Sequence, residues 1–439
     1  MSRARIFYTL FVCVAAILAP LYLLWRSRRQ PEYLRHWGER YGWARYPKSQ
    51  RARIWIHAVS VGETRAAQPL VAALLARWPD HDILLTHMTP TGRETGEALV
   101  RAHPGRVAQC YLPYDLPWAL GRFLRTIRPQ IGLVMETEVW PNLLASARAH
   151  GVPMALINAR LSEKSLAKAL RTPHLMGEAA QGFALVLAQS ADDARRLEAS
   201  GARGVQVVGN LKFDFTPSPD QLVRGHEWRR LMARPVWLFA STREGEEALI
   251  LEALRPCFGW RDVNGAAPVF LVVPRHPQRF DAVADLLSSA GLPLKRRSQE
   301  ADLPAALLAE SGPVFVLGDS MGEMALYYAL ADVALMGGSL LPFGSHNVIE
   351  PAAIGTPLVL GPSIYNFVQA AEDALAAGAA LQVADAPAAV ALMAELAADA
   401  PRRLAMSEAG RQFAAAHRGA TERTVAAISP RIEGGGGRR

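Results

Sequence analysis

The sequence contains very little cysteine. Cys13, Cys110 and Cys257 are the only three cysteines among 439 residues, and they lie far apart. They form neither a CxxC metal pattern nor a framework of closely spaced disulfides. This scarcity argues against a disulfide-stabilised secreted domain and against a cysteine-ligated metal site, and it is typical of a protein of the reducing cytosol.

Most of the chain also lacks an excess of charge of either sign. The formal net charge is +8, but residues 1–53 carry eleven Lys or Arg and two Asp or Glu, whereas the rest of the chain carries 37 basic and 38 acidic residues. The excess positive charge is therefore confined to the N-terminal segment. This distribution argues against a nucleic-acid groove in the body of the protein and for a local contact with an anionic surface.

One long hydrophobic run is present, at residues 6–25. These twenty residues contain no charged side chain, and a helix of that length spans about 30 Å, the thickness of a bilayer core. Arg3 and Arg5 precede the run, whereas five arginines follow it by residue 40. The positive-inside rule therefore predicts a membrane anchor with the body of the protein in the cytoplasm.

A cleaved signal peptide is the alternative interpretation of this run. The run is long for a signal peptide, no clear small-x-small cleavage site closes it, and an arginine cluster follows directly. The sequence thus favours an uncleaved anchor. Because Pro20 is able to kink a helix, the sequence leaves open whether the anchor spans the membrane or lies partly in one leaflet.

No short-period repeat is visible, but beyond the anchor apolar runs of strand length alternate with helical patterns. This alternation predicts βα units and parallel sheets. The predicted strands are residues 54–59, 83–87, 131–135, 154–157, 185–188 and 205–208, then 236–240, 269–273, 314–317, 333–336 and 357–360. Residues 214–235, rich in proline and charge, are interpreted as a linker. The predicted fold is α/β, with two Rossmann-like domains and a cleft between them.

The end of the chain has a different composition. From residue 374 onward it is rich in alanine and is predicted to be helical. The last residues, 434–439, are mostly glycine and arginine, a composition typical of a flexible tail.

Polar motifs follow several predicted strands of the first half. They are SVGET, which contains Glu63, and then MTPTGRETG, ETEVWPN and GNLKFD. In open parallel sheets, ligands bind beyond the carboxyl ends of the strands, so these motifs are candidates for one site.

The second half repeats this arrangement with more basic motifs, STREGEE, PRHPQRF and GDSMGEM. Arg243, Arg275 and His276 are suited to a phosphate, and Gly318 and Gly322 permit close approach to the backbone. Each motif alone also has a structural interpretation, as a turn shaped by proline or a helix capped by aspartate. Their joint placement in one domain favours a nucleotide-phosphate site.

The segment 334–362, ALMGGSLLPFGSHNVIEPAAIGTPLVLGP, indicates a ligand site built on backbone. Gly337 and Gly338 leave room for a ligand near the main chain, and a helix opening near Asn347 offers unpaired N–H groups to an anion. Glu350 is expected one turn into that helix, where its carboxylate is able to accept two hydrogen bonds from a ribose diol. The alternative is a glutamate that only stabilises the helix start.

Read together, these motifs resemble one family, the 3-deoxy-D-manno-octulosonic acid (Kdo) transferases of lipopolysaccharide synthesis. The resemblance covers nearly the whole chain. The matching motifs are RHWGERYG from Arg35, HAVSVGE from His57, MTPTGRETG from Met88, YLPYDLP from Tyr111, METEVWPN from Met135, NARLSEKS from Asn158, GNLKFD from Gly209, STREGEE from Ser241, VPRHPQRF from Val273, GDSMGEM from Gly318 and GSHNVIEPAA from Gly344.

The resemblance implies a GT-B glycosyltransferase with parallel sheets facing a central cleft. It implies an anchor and basic flank over residues 1–30, an acceptor-binding domain over 31–220, a CMP-Kdo-binding domain with C-terminal helices over 221–430, and a flexible tail over 431–439. CMP-Kdo is then the donor substrate, and neither a cofactor nor a metal is required.

Catalytic roles are implied for three residues. Glu63 matches the general base of the family, which takes the proton from an acceptor hydroxyl. Without the resemblance, the sequence around Glu63 favours a charge that stabilises a helix start. Glu136 and Lys212 match positions that stabilise the transition state. Glu138 is a weaker candidate, because it is also placed to cap the following helix.

Donor binding is implied for three short segments. The residues that match are Pro274, Arg275, Met321, Gly322, Glu323, Asn347, Val348, Ile349 and Glu350. By chemistry, the arginine suits the phosphate, the 321–323 backbone suits the base and phosphate, and Glu350 suits the ribose. Ser345 departs from the family, which more often has glycine there, and so the local geometry of this turn is in question.

The activity implied is an inverting transfer of Kdo from CMP-Kdo to a lipid A precursor (lipid IVA), at the cytoplasmic side of the inner membrane and in contact with anionic lipid. Two alternatives remain: a GT-B enzyme with another nucleotide sugar, including an epimerase of similar architecture, and a non-catalytic membrane scaffold. The anchor argues against a soluble epimerase. The presence of the carboxylates and Lys212 together argues against a scaffold.

Overall fold

The structure is a computed structural model that describes residues 2–28, 30–214 and 216–434. Contacts within the chain define two compact units. One consists of Met1–Phe215 with His417–Arg439, and the other of Thr216–Ala416.

The first unit contains a seven-stranded sheet in which every pairing is parallel. Its strands are β1 (Ala52–His57), β2 (His81–His87), β3 (Val107–Tyr111), β4 (Ile131–Met135), β5 (Met154–Ala159), β6 (Leu185–Ala188) and β7 (Val205–Val207). They lie in the order β3-β2-β1-β4-β5-β6-β7.

Helices cover both faces of this sheet, and residues along a strand alternate between two cores. Ile54 and Ile56 enter one core, whereas Trp55 enters the other, as expected for side chains that point to opposite faces. The helices before the end of this part of the chain are α1 (Arg3–Ser27), α2 (Trp37–Arg40), α3 (Val61–Ala66), α4 (Gln68–Arg77), α5 (Pro90–Ala102), α6 (Pro117–Ile127), α7 (Pro141–Ala149), α8 (Glu163–Ala169), α9 (Glu178–Ala180) and α10 (Ala191–Ala199).

The second unit repeats the plan with another seven-stranded parallel sheet. Its strands are β8 (Val236–Thr242), β9 (Val269–Pro274), β10 (Leu294–Arg296), β11 (Val314–Leu317), β12 (Val333–Met336), β13 (Leu358–Leu360) and β14 (Ala380–Gln382). They lie in the order β10-β11-β9-β8-β12-β13-β14. Its helices are α11 (Pro219–Met232), α12 (Glu246–Leu254), α13 (Phe280–Ser288), α14 (Leu303–Leu307), α15 (Met324–Leu330), α16 (Ile349–Ile354), α17 (Val368–Ala376), α18 (Ala386–Ala398) and α19 (Ala400–Ala416).

The two Rossmann-like sheets confirm the predicted α/β fold, and all eleven predicted strands are present. Three strands were not predicted, β3, β10 and β14, and each lies at the edge of its sheet. An edge strand packs against fewer neighbours, so its sequence needs less apolar character. The sequence Leu-Lys-Arg of β10 shows how weak the signal then becomes.

The predicted linker over 214–235 is wrong, because most of it forms α11. Trp228 and Met232 are buried on this helix, which packs against α15. Arg229 pairs with Asp332 at 2.8 Å. The charges that indicated a linker are thus the partners of side chains within the second unit.

The last helix, α20 (Ala420–Glu433), belongs with the first unit rather than with the second. Ile428 and Ile432 enter the first core, and Asp214 accepts the N–H of Gly419 at 2.6 Å. The assignment of residues 221–430 to one domain is therefore wrong at its C-terminal end. Residues 431–433, predicted as tail, complete this helix, and residues 435–439 lie outside the described residues.

Candidate active site

The strand order places the site in each sheet. In the first sheet, β1 lies between β2 and β4, and in the second, β8 lies between β9 and β12. The connections on the two sides of this central strand run in opposite directions across the sheet, which makes it the topological switch point. Ligands of open α/β sheets bind at the switch point, beyond the carboxyl ends of the strands. Glu63 follows β1 and Glu136 follows β4, whereas STREGEE begins with the last two residues of β8 and the Gly337–Gly338 pair follows β12.

Glu63 lies in the first turn of α3, buried with 7% of its surface exposed. Its Oε2 atom accepts the N–H of Ser60 at 2.8 Å, and Ser60 Oγ accepts the N–H of Glu63 at 3.4 Å. This reciprocal pair is a capping box, which fixes the carboxylate. Burial raises the pKa of Glu63 to about 7, and the charges of Glu136 and Glu138 add to the rise. The hydrogen bond from the Ser60 N–H acts in the opposite direction and lowers the pKa.

Glu136 is held in a different environment. It is 4% exposed and adopts a left-handed backbone conformation at φ 57°. Lys212 Nζ donates to Oε1 at 3.0 Å and Arg160 Nε donates to Oε2 at 2.8 Å. Burial opposes ionisation of Glu136, but these two cations outweigh it and lower its pKa.

The first unit therefore brings the three predicted catalytic residues together electrostatically. Glu136 and Lys212 form a direct ion pair, and Glu136 acts on the pKa of Glu63. Two buried carboxylates whose environments shift their pKa values in opposite directions are suited to different tasks, one to proton transfer and the other to fixed charge. Glu138 accepts a hydrogen bond from Trp140 Nε1 at 2.6 Å, and burial raises its pKa.

In the second unit, Glu246 connects the two loops at the switch point. Its side chain is fully buried and accepts three backbone N–H groups, from Arg243 at 2.8 Å, Gly338 at 2.7 Å and Leu340 at 3.0 Å. Sequence reasoning missed this residue, because a glutamate in STREGEE looks like any charge in the first turn of a helix. Its role depends on contacts more than ninety residues away along the chain.

The glycine pair after β12 is explained mainly by packing of the backbone. A Cβ atom on Gly337 would lie 2.3 Å from the carbonyl oxygen of Ser241, so the end of β8 occupies the space beside it. Gly338 adopts φ 71°, a conformation that glycine reaches without strain. The interpretation of Gly337 as an opening for a ligand is therefore wrong.

A cluster of basic side chains surrounds these loops. Arg243 Nη1 lies 3.1 Å from His276 Nε2. Burial lowers the pKa of His346 to about 4, and the positive charges of Arg275, Arg243 and His276 contribute to the shift. Nε2 of His346 is buried without a hydrogen-bond partner within the described part of the chain. Concentrated positive charge beside an unsatisfied polar atom is suited to an anionic ligand.

The segment from Asn347 to Glu350 opens α16. Val348 precedes the helix, and Asn347 Oδ1 accepts the N–H of Ile349 at 3.1 Å. Glu350 is the second residue of this six-residue helix, not one turn into it as expected, and so short a helix adds little dipole.

Glu350 and Arg275 both lie near one buried phenol. Burial raises the pKa of Tyr328, and the charge of Glu350 adds to this rise while that of Arg275 opposes it. Pro274 ends β9, and the N–H of Arg275 donates to the Thr242 carbonyl at 3.0 Å. The predicted phosphate and ribose residues thus share one neighbourhood.

The turn from Met321 to Glu323 lies at the surface of the second unit. Met321 is 63% exposed and Gly322 adopts φ 81°. The Glu323 side chain pairs with Arg224 at 2.5 Å and with Arg297 at 2.8 Å. Because these pairs already engage the carboxylate, the backbone of the turn is the part suited to a ligand.

Ser345 is buried and adopts a left-handed conformation at φ 66°. Its N–H donates to the Gly338 carbonyl at 2.7 Å, which joins the two halves of the loop. A side chain is strained at such an angle and glycine is not. This strain is a physical reason for the glycine that the resemblance leads one to expect at this position.

Two units, each with a Rossmann-like parallel sheet and with polar side chains at its switch point, define the GT-B class. Solved structures of that architecture align over most of the chain. A glycosyltransferase from Rickettsia africae gives a TM-score of 0.57 at 13% identity, over 88% of this chain and 99% of the other. A putative UDP-N-acetylglucosamine 2-epimerase from Listeria monocytogenes gives 0.57 at 14% identity, over 88% and 97%. At such identities the likeness concerns the fold alone.

Sequence comparison narrows this class. Residues 35–215 match the family model described as 3-deoxy-D-manno-octulosonic-acid transferase (kdotransferase). A protein of that name from Bordetella pertussis is 49% identical over 421 residues, 94% of this chain and 96% of the relative. One from Haemophilus influenzae is 36% identical over 372 residues, 83% of each chain. The chain belongs to the Kdo transferase family of glycosyltransferases, which confirms the resemblance.

Proposed function

We propose that the chain transfers Kdo from CMP-Kdo to a hydroxyl of a lipid A precursor, lipid IVA, with inversion at the anomeric carbon. Membership of the Kdo transferase family supports the sugar and the donor. The observation that carries the mechanism is Glu63, a buried carboxylate whose pKa of about 7 suits a general base near neutral pH.

The proposed reaction is a single displacement. The acceptor oxygen forms a bond to the Kdo anomeric carbon as its proton passes to the Glu63 carboxylate. The bond from that carbon to the phosphate oxygen of CMP breaks, and CMP leaves with the electron pair. Positive charge develops on the sugar in such a step. The Glu136 carboxylate offsets that charge, and Lys212 offsets the negative charge of the Kdo carboxylate or of departing CMP.

Donor binding is assigned to the second unit. Arg275, in the basic cluster, pairs with the phosphate, and Glu350 accepts hydrogen bonds from the ribose. The backbone of Met321, Gly322 and Glu323 contacts the base and phosphate. Pro274, Asn347, Val348 and Ile349 shape the loops that hold these groups.

The proposed location is the inner membrane, with both units on the cytoplasmic side and the basic N-terminal flank against anionic lipid. By length and composition α1 is long and apolar enough to enter a bilayer, and 11% of its most apolar window is buried. No metal cofactor is assigned a role in the reaction.

Transfer is tested with purified full-length protein, CMP-Kdo and a tetraacylated lipid A precursor, with CMP release and the mass of the lipid product as readouts. We expect a Kdo-lipid product, and its absence beside an active control enzyme would overturn the assignment. Competition by CMP but not by UDP for the donor site separates it from other nucleotide sugars.

The base is tested with Glu63→Gln, which keeps an oxygen for the Ser60 N–H. We expect loss of transfer with CMP binding retained. Glu198→Gln, at an exposed position of α10, is the matched control and is expected to behave like the parent. Near-normal turnover of Glu63→Gln would remove Glu63 from the role of base.

A further inference from the structure

Helix α1 has two faces that differ along its whole length. One face is apolar and exposed, and its large side chains are between 55% and 76% exposed. They include Phe7, Phe11, Val14, Ile17, Leu18 and Leu21. The opposite face, which recurs every three to four residues and includes Ala16 and Leu23, packs against the first unit.

The packed face makes polar contacts with the body at both ends of the helix. Near the start, Tyr8 Oη donates to Asp115 Oδ2 at 2.8 Å, and Thr9 Oγ1 donates to Asn142 Oδ1 at 3.0 Å. Near the end, Arg26 Nη2 donates to Tyr33 Oη at 3.1 Å.

The middle of the helix is tied to the body through its proline. Pro20 has no N–H to donate to the Ala16 carbonyl, four residues earlier. Tyr41 Oη donates to that carbonyl at 2.8 Å. In lipid an unsatisfied carbonyl is strongly disfavoured. The hydroxyl of Tyr41 thus provides the hydrogen-bond donor that Pro20 lacks, and it does so only while the helix is packed against the body.

These contacts are incompatible with a helix that crosses the bilayer while docked. Tyr8 and Arg26 are eighteen residues apart, about 27 Å along the axis, which is nearly the full hydrocarbon thickness. The body accompanies the helix over that distance. A perpendicular helix would therefore carry Asp115 and the start of α7 into the hydrocarbon and beyond it, where a buried carboxylate and irregular backbone are strongly disfavoured.

We propose that α1 does not span the membrane but lies along it, with its exposed face in one leaflet and both ends on the side of the body. The occupant of that face is an anionic bilayer surface, because arginines lie at both ends of the helix, Arg3 and Arg5 in its first turn and Arg26 in its last turn. Trp43 and Trp118, 69% and 55% exposed in segments that contact α1, extend the surface with residues typical of the membrane interface.

The side on which the N-terminus lies is the decisive test. A cysteine on a short Gly-Ser extension before Met1 and, as a marker of the body, Leu404→Cys on α19 are treated with a membrane-impermeant maleimide. Labelled peptides are identified by mass spectrometry, so the natural cysteines stay. We expect both sites to react in inside-out vesicles and neither in spheroplasts. Reaction of the N-terminal cysteine in spheroplasts would show a spanning helix and overturn the proposal.

Docking in the membrane is tested separately, by oxidative cross-linking of Thr9→Cys with Asn142→Cys. We expect the linked peptide in native membranes, whereas Phe11→Cys with Asn142→Cys, on the exposed face, yields none. A linkage that forms in detergent but not in membranes would contradict the proposal. Tyr41→Phe should lower the yield of the linked peptide several-fold. Adding Pro20→Ala to Tyr41→Phe should restore most of the yield, because the N–H of residue 20 then satisfies the Ala16 carbonyl within the helix. A further loss of yield in the double variant would count against the pairing of Tyr41 with the Ala16 carbonyl.

Discussion

Glu63→Gln is expected to make the protein more stable as well as inactive, and the gain should depend on pH. Burial raises the pKa of Glu63 from 4.5 to about 7, so the folded state disfavours the ionised form. Stability from the neutral carboxyl is fully present below the unfolded pKa and is lost as pH rises through the folded pKa. At 1.36 kcal/mol per unit, the penalty is about 1 kcal/mol at pH 5 and about 3 kcal/mol at pH 8. Glutamine never ionises and so avoids this penalty.

Thermal unfolding of the full chain in detergent at pH 5 and pH 8 measures the effect. At roughly 2–4 °C per kcal/mol for a unit of this size, Glu63→Gln should raise the midpoint of the first unit by a few degrees at pH 5 and by on the order of 10 °C at pH 8. Glu136→Gln is the matched contrast. In the parent protein, burial opposes ionisation of Glu136, but Lys212 and Arg160 outweigh it and lower the pKa of this carboxyl. The ionised form of Glu136 therefore contributes stability that is lost as pH falls. The Glu136→Gln substitution should therefore destabilise the first unit, and by more at pH 8 than at pH 5. A gain for Glu63→Gln that is equal at both pH values would refute the reasoning.

Three further predictions concern the rate of transfer, donor binding and the stability of the second unit. In the proposed mechanism the ionised form of Glu63 is the base, so kcat/KM should rise with pH through about 7. A profile that is flat from pH 5 to 8 would contradict this. Glu246→Gln should raise the KM for CMP-Kdo about 10-fold or more with little change in the acceptor KM, because three backbone N–H groups then share one carbonyl oxygen. Glu244→Gln, at an exposed position on the same loop, is the control. Equal changes in both KM values of Glu246→Gln would argue against a role of Glu246 in the donor loops. Ser345→Gly should stabilise the second unit by about 0.5–1 kcal/mol, since relief of left-handed strain outweighs the added chain entropy; a loss of more than about 1 kcal/mol in denaturant unfolding would refute it.

The sequence predicts the interiors of the two sheets well and their margins poorly. Strands such as β4 and β9 are buried at every residue, so an unbroken apolar run identifies them. β10 and β14 at the edges need no such run. The same limit explains α11, whose charged residues looked like a linker until their partners were visible. It also explains α20, whose place with the first unit depends on contacts made two hundred residues earlier along the chain.

Candidate site residues divide in the same way. Glu63, Glu136 and Lys212 follow strands in recognisable motifs, so both their place and their grouping could be anticipated. Glu246 could not, because its three partners include Gly338 and Leu340, far along the chain. Of the seven non-glycine residues with positive φ in the described chain, four lie at the carboxyl ends of β4, β5 and β8 or in the loop after β12, at 136, 158, 241 and 345. Such strain concentrates at functional sites, and no sequence pattern reveals it.

The two interpretations of Glu63, helix-start charge and general base, were alternatives in the sequence, but the arrangement in the structure is compatible with both at once. A cap alone would leave the carboxylate ionised and solvated, with a pKa near its ordinary value. Here the capping box engages Oε2 and holds the side chain in place, while burial to 7% exposure opposes ionisation. The bond from Ser60 also limits how far the pKa rises, since a hydrogen bond to the charged form favours it. A base that acts near neutral pH needs both effects, and removal of the Ser60 bond should therefore shift the pH profile of transfer upward rather than abolish transfer.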